Sequence, residues 1–103
     1  MELYPLQLFL AIATERSFSR AAEKLGRTQH AVSLALQRLE LALGEKLIDR
    51  SAKELVLTDA GHAVLEYARR FDNLRLELEN SLAELRDNSA GRLTIGANES
   101  TTL

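Results

Sequence analysis

Hydrophobic residues recur every three to four positions over most of the chain, and this period predicts helices. The first helix is predicted to open at Pro5, because proline suits a first helical turn. It carries one buried apolar face and a second apolar strip, Leu6, Phe9, Leu10 and Ala13 followed by Leu8 and Ile12. A short second helix follows, with Ser19 as its predicted N-cap and Gly26, able to adopt a left-handed conformation, as its end.

A third helix is predicted from the N-cap Thr28 to about Leu43, with Gly44 ending it. Its inward positions are spaced by four and three, at Val32, Leu36, Leu39 and Leu43. Its flanks and outer surface carry a different set, Gln29, His30, Ser33, Leu34, Gln37 and Arg38. A core does not need these side chains, so the outer face of this helix indicates a role other than packing.

The period changes to two after Gly44, where residues 46–50 and 54–58 read as short strands around residues 51–53. This alternation predicts a β-hairpin, although the turn lacks the Asn-Gly pair that favours one.

The helical period returns over residues 59–88 and predicts one long helix. Its apolar stripe consists of Val64, Ala68, Phe71, Leu74, Leu78, Leu82 and Leu85. About thirty helical residues span roughly 45 Å, more than a domain of this size covers, so the stripe needs a second chain or another domain. Residues 89–91 are predicted as a hinge and residues 92–96 as a single strand, which indicates the beginning of a following domain.

The bulk properties narrow the class of protein. A chain of 103 residues with 46% hydrophobic residues builds one small domain with an appendage. It contains no cysteine, which excludes disulfides and cysteine-based metal sites and fits a reducing cytoplasm. No signal segment and no apolar run of about 18 residues is present, so we expect a cytoplasmic protein that is neither secreted nor membrane-spanning. No cofactor is expected.

Net charge alone does not reveal a nucleic-acid binder. The total is −2, but residues 1–58 hold eight Lys and Arg against seven Asp and Glu, whereas residues 59–103 hold five against eight. The basic residues of the first half form no block, so any binding face must arise from folding.

The second and third helices have the spacing of a helix-turn-helix. Ala22 is small where the two helices approach, Gly26 lies four residues later in the turn, and Val32 anchors the next helix six residues beyond. The hairpin directly after would form a wing. In this arrangement the third helix enters the major groove of DNA with its N-terminal residues facing base edges.

Residue type then predicts roles at this interface. Gln29 can bond bidentately to adenine, Ser33 can donate or accept, and Leu34 can contact a thymine methyl group. Thr28 and the free N–H groups of the helix start can hold a phosphate. The full set of candidate DNA contacts is Arg27, Thr28, Gln29, His30, Ser33, Leu34, Gln37, Arg38, Arg50 and Lys53. Among them the arginines and Lys53 are predicted to contact the backbone, which positions the protein without reading sequence.

These motifs resemble the N-terminal part of the LysR-type transcriptional regulators over nearly the whole chain. The matching positions, in order, are Phe9, Ala11, Ala13, residues 17–22, Leu25, Gln29, residues 31–33, Leu39, Glu40, Leu43, Gly44, Leu47, Arg50, Leu57, Thr58, Ala60 and Gly61. Two positions depart from the family pattern, which commonly has proline at His30 and often arginine at Leu34. His30 remains open between a DNA contact and a helix-start residue without a role, and Arg38 between a DNA contact and an ion pair.

The resemblance implies a mainly α protein in three parts. Residues 1–58 would form a winged helix-turn-helix that binds double-stranded DNA, and residues 59–88 a linker helix that forms a homodimer. Residues 89–103 would be a hinge and the first strand of a truncated effector-binding domain, in which Ser100 falls at a position that touches the small-molecule effector. Family members are often tetramers when whole, and this fragment is expected to bind DNA without sensing an effector.

The resemblance assigns dimerisation to one side of the linker helix, at Phe71, Leu74, Leu78, Leu82 and Leu85. Two rival interpretations belong to other classes. The winged domain could serve only protein interaction, since charge is weak and Leu34 is not basic. An enzyme is disfavoured, because His30 and His62 lie in different elements with no nucleophile or carboxylate constellation around them.

Overall fold

The computed structural model describes residues 4–91, and the side chains of residues 4–88. Its elements, in chain order, are α1 (Tyr4–Glu15), α2 (Phe18–Leu25), α3 (Gln29–Leu43), β1 (Ile48–Asp49), β2 (Val56–Leu57) and α4 (Asp59–Gly91). The predicted fold, mainly α with a winged helix-turn-helix and a long final helix, is confirmed. The chain forms two compact units, Met1–Asp72 and Asn73–Leu103, whose boundary falls within α4.

The core of the first unit lies where α1, α2 and α3 pack against one another. Its most deeply buried large side chains are Phe9, Leu8, Ile12, Leu36, Leu47 and Val32. The two apolar strips predicted on α1 therefore differ from expectation in how deeply their residues are buried. Leu8 and Ile12 are fully buried, whereas Leu10 and Ala13 are only partly buried, because α1 contacts both other helices and is covered on two sides.

The start of α2 lies two residues earlier than predicted. Ser17 has an extended backbone, and its hydroxyl accepts the N–H of Arg20 at 3.1 Å, so Ser17 is the N-cap. Ser19 lies within the first helical turn, and the prediction that it caps the helix is wrong. The reason is the backbone conformation, because Ser17 is extended and its hydroxyl accepts the N–H three residues later, whereas Ser19 is already helical.

The ends of α3 agree with the sequence. The hydroxyl of Thr28 accepts the N–H of Ala31 at 3.0 Å, which caps the helix as predicted. Gly26 and Gly44 close α2 and α3 with φ angles of 67° and 72°, the left-handed conformation that glycine adopts at low cost. The segment between Gly26 and Thr28 is thus a tight turn that fixes where α3 begins.

The wing is a shorter hairpin than predicted. Its strands pair antiparallel with Ile48 opposite Leu57 and Asp49 opposite Val56, two residues in each strand instead of five. The chain leaves the ladder early because the carboxylate of Asp49 accepts both the backbone N–H and the hydroxyl of Ser51. Residues 50–55 therefore form the wing tip.

The first turn of α4 joins directly to the wing. Thr58 donates its hydroxyl to the Lys46 carbonyl at 2.6 Å and accepts the N–H of Gly61 at 3.0 Å. A Cβ atom at Gly61 would lie 2.1 Å from the Leu47 carbonyl oxygen, so only glycine allows this close approach. The wing is consequently held at its base by backbone contacts.

Along α4, burial differs between the two units. Leu65 and Ala68 are buried in the first unit, whereas the leucines of the second unit that the structure describes are all exposed. The helix continues through Gly91, so residues 89–91, predicted as a hinge, are helical. The predicted strand at residues 92–96 and the effector position Ser100 lie outside the described residues. Within residues 4–91, no helix is both apolar enough and long enough to cross a bilayer.

Candidate nucleic-acid interface

The two faces of α3 differ in exposure. Of its four predicted inward positions, Val32, Leu36 and Leu39 are at most 3% exposed, and Leu43 is partly buried against the core. Its outer positions are exposed, with only Ser33 half-buried on the flank: Gln29, His30, Leu34, Gln37 and Arg38. All six outer candidates therefore share the side of the helix that faces away from the core.

The start of α3 is polar and accessible. A helix start leaves its first N–H groups without intrahelical partners and has a partial positive charge. The hydroxyl of Thr28 accepts from Ala31 and retains its own hydrogen for donation. Gln29 and His30 are exposed in the first turn. This end of α3 offers hydrogen-bond donors to an anionic or polar partner.

Arg38 lies further along the same face. Among the side chains of residues 4–88, no carboxylate forms an ion pair with it. The ion-pair alternative for Arg38 is therefore absent from this part of the chain, and its contact with DNA stays a prediction.

Two of the arginines predicted to contact the DNA backbone lie over aromatic rings. The guanidinium carbon of Arg27 lies 5.1 Å from the centre of the Tyr4 ring. That of Arg50 lies 5.4 Å from the centre of the Phe18 ring. Sequence reasoning did not identify either ring as part of the interface, because each belongs to a helix far from its arginine in sequence.

The wing tip carries exposed charges of both signs. Arg50 and Lys53 are exposed beside Asp49 and Glu54. The hydroxyl of Ser51, at 2.6 Å, and its backbone N–H lower the pKa of Asp49 below its ordinary value of 3.8. The tip therefore keeps a carboxylate close to its two cations near neutral pH.

Glu40 is a further residue that sequence reasoning did not single out for a role. Its side chain is buried, and Oε2 accepts the N–H of Leu47 at 2.8 Å and that of Ile48 at 3.4 Å. The Lys46 ammonium lies 3.9 Å from Oε1. Glu40 thus ties α3 to the first strand of the wing. Its position four residues after Leu36, on the buried side, is the signal that identifies it.

The residues predicted for dimerisation are all exposed. Their exposures lie between 43% and 62%, at Phe71, Leu74, Leu78, Leu82 and Leu85. Tyr67 and Leu76, which were not predicted, are exposed to a similar degree. A contiguous row of large apolar side chains at this exposure is typical of interaction surfaces, so dimerisation through these residues stays a prediction.

Comparison with known proteins decides the family. Residues 3–62, more than half of the chain, match the family described as bacterial regulatory helix-turn-helix protein, lysR family. The chain belongs to the lysR family. This makes residues 3–62 a helix-turn-helix segment of the kind found in bacterial regulatory proteins, and the rival of a wing used only for protein interaction is not favoured.

Relatives and solved structures extend the lysR-family assignment. The chain is 43% identical over 99 residues, 96% of its length, to a probable RuBisCO transcriptional regulator of Cyanophora paradoxa, of which it covers 31%. A crystal structure of BenM_DBD with benA site 1 DNA has a TM-score of 0.73 and 32% identity, covering 89% of this chain and all of that one. Vibrio fischeri DarR in complex with DNA has a TM-score of 0.71 and 33% identity, covering 87% of this chain and 30% of that one.

The lysR-family chain therefore spans between about a quarter and a third of the length of the curated relatives it matches. BenM_DBD and DarR were solved bound to DNA, and both resemble this chain over most of its length.

Proposed function

We propose that this lysR-family chain binds an inverted-repeat operator in double-stranded DNA as a homodimer, with α3 of each copy in the major groove. The observation that carries the proposal is the division of α3 into two faces. One face is sealed in the core by Val32, Leu36 and Leu39, and the other presents polar side chains from a capped helix start. A helix of this kind fits a groove wide enough to admit it.

In this proposal, Gln29, Ser33 and Leu34 contact the base edges and read the sequence. Gln29 lies in the first turn and is exposed, so its amide can reach a base edge. Ser33 lies one turn further along, where its hydroxyl adjusts to a donor or an acceptor. Leu34, 38% exposed, offers an apolar contact to a thymine methyl group. His30, Gln37 and Arg38 flank this row.

In this proposal the DNA backbone is contacted by five residues: Thr28 at the start of α3, Arg27 before it, Arg38 further along the helix, and Arg50 and Lys53 on the wing. Each offers a donor to a phosphate oxygen, and such contacts fix the register of α3 without reading sequence. The wing is held at its base by Glu40 and Thr58, so its cations are presented from a defined position.

Dimerisation belongs to the exposed apolar side of α4. A second copy of the chain brings the same surface, and a two-fold axis makes it self-complementary. Two copies would then present two α3 helices to two half-sites, which matches an inverted repeat. In this proposal, the longer protein binds a small-molecule effector and forms the tetramer. It works in the cytoplasm.

Affinity for duplex DNA measured against salt concentration tests the proposal. A protein that contacts Z phosphates shows a log–log slope of about −0.9Z. The five candidate backbone contacts of each copy, four of them basic and one at a helix start, predict a steep negative slope. Removing Lys53 as Lys53→Ala should make the slope shallower by about 0.9 per copy. An affinity that does not change with salt would contradict DNA binding and leave a protein-interaction module.

A further inference from the structure

The rings under Arg27 and Arg50 have a chemical consequence for DNA binding. A guanidinium is planar, and it can stack with its face on an aromatic ring while its five N–H donors point outward in its own plane. Stacking within about 6 Å of a ring centre is attractive. A ring therefore restricts where the arginine points without using the donors that bind a phosphate.

A third stacked arginine shows the contrast within the same chain. The Arg70 guanidinium carbon lies 4.9 Å from the centre of the Tyr67 ring, but its Nη2 also donates to the Glu66 carboxylate at 2.6 Å. Part of its donor edge is occupied. Among the side chains of residues 4–88, no ion pair occupies Arg27 or Arg50.

The positions of the two pairs match the interface. Arg27 directly precedes Thr28, the N-cap of α3, and its backbone N–H is fixed to the Ala22 carbonyl at 2.9 Å. Arg50 directly follows β1, at the start of the wing tip. The rings come from two other elements, with Tyr4 at the start of α1 and Phe18 at the start of α2.

We propose that Tyr4 and Phe18 are positioning residues for DNA binding, each holding one arginine in place with its donor edge open to a phosphate. Tyr4 acts on Arg27 at the start of α3, and Phe18 acts on Arg50 at the wing. The inference rests on the proposed function, since it requires that both arginines meet the DNA backbone. Ordering the long arginine side chain before binding reduces the entropy that binding costs.

Affinity for a labelled short duplex of random sequence tests the pair at Arg27, because phosphate contacts do not depend on sequence. In the full chain, Tyr4→Leu should weaken binding about 2- to 5-fold, the range that an exposed cation–π contact gives. Tyr4→Phe keeps the ring and should bind as the unchanged chain does. Equal losses for both variants would overturn the proposal, since the hydroxyl would then be the contact.

A double-mutant cycle separates positioning from a general structural effect. In the Arg27→Ala background, Tyr4→Leu should cause no further loss, because there is no guanidinium left to hold. The same loss in both backgrounds would overturn the proposal for Tyr4. Lys24→Ala is the matched control, because this cation pairs with Glu15 and stacks on no ring among the side chains that the structure describes, and it should leave affinity unchanged.

Phe18 also packs against the core, so its variants need a stability check. Phe18→Tyr keeps the ring and should retain affinity, whereas Phe18→Leu should lose about 2- to 5-fold only while Arg50 is present. Thermal unfolding confirms that each variant is folded. Salt-dependent binding with no coupling between ring and arginine would contradict the positioning role alone. Binding that ignores salt would instead contradict the proposed function.

Discussion

Leucines spaced three or four apart occur in both compact units, but their surroundings differ. In α3, within Met1–Asp72, Leu36 and Leu39 are 0% and 3% exposed. In the part of α4 within Asn73–Leu103, Leu74 and Leu78 are 62% and 59% exposed. The same spacing thus identifies an apolar side in both places. Whether that side is buried depends on a partner surface, which the first unit supplies from its own helices.

The exposed leucines of α4 carry a cost that their buried counterparts do not. Apolar surface gains roughly 25 cal/mol for each Å² removed from water, so an uncovered row of leucines favours association. The first unit satisfies this requirement internally through α1, α2 and α3. The second unit, as far as residue 88, leaves it unmet, which is the basis for proposing a second copy as its partner.

The largest expected effect lies in the buried half of the comparison. Leu36→Ala removes a fully buried side chain and should lower the free energy of unfolding by about 2–5 kcal/mol. Leu41→Ala is the matched control on the same helix, because Leu41 is 81% exposed, and it should change stability by less than about 0.5 kcal/mol. Denaturant unfolding measures both. Equal losses would show that burial does not govern these leucines.

A smaller effect is expected at the exposed leucines of α4. Leu78→Glu places a charge in the proposed dimer surface and should weaken dimerisation by on the order of 100-fold, because two carboxylates would be buried without partners. Sedimentation at graded concentrations measures the change. Asn80→Glu adds the same charge at an exposed polar position and should leave the dimer intact. A dimer unaffected by Leu78→Glu would place the interface elsewhere.

The smallest effect is expected at the wing tip, where exposed hydrogen bonds and not buried side chains hold the backbone. Ser51→Ala removes the hydroxyl donor to Asp49 and should raise the pKa of that carboxyl toward 3.8. Folding lowers the pKa of Asp49, so the hydrogen bonds from Ser51 stabilise the folded state at pH values above the pKa of the unfolded chain. That stabilisation is lost as the pH falls through the pKa of the folded state. An NMR titration of the Asp49 carboxyl tests this. A pKa unchanged by Ser51→Ala would exclude the hydroxyl as its cause.

Local rules predicted the parts of the fold that neighbours in sequence determine. Thr28 caps α3, and Gly26 and Gly44 end their helices, because each effect acts within one turn. The N-cap of α2 is Ser17 and not the predicted Ser19, because serine can cap a helix at either position and the backbone conformation decides between them. Residue type and periodicity alone do not report that conformation.

In the candidate site, too, some residues follow from the sequence pattern and others only from tertiary contacts. The outer face of α3 follows from its spacing, so Gln29 and Leu34 were identified from the sequence. Glu40 reaches residues seven and eight positions later, and Tyr4 meets Arg27 from a different helix. These contacts link elements through the fold. Residue type and spacing therefore predicted which side chains lie on the exposed face of α3 better than which side chains contact each other across the fold.

The central claim is that the outer face of α3 reads base pairs while the wing contacts only the backbone. Selection of bound duplexes from a random pool, followed by sequencing, tests it directly. The chain should select an inverted repeat, Gln29→Ala should relax one base pair in each half-site by about 1–3 kcal/mol, and Lys53→Ala should select the same sequence with weaker binding. An unchanged selected sequence for Gln29→Ala, or an altered one for Lys53→Ala, would contradict the account.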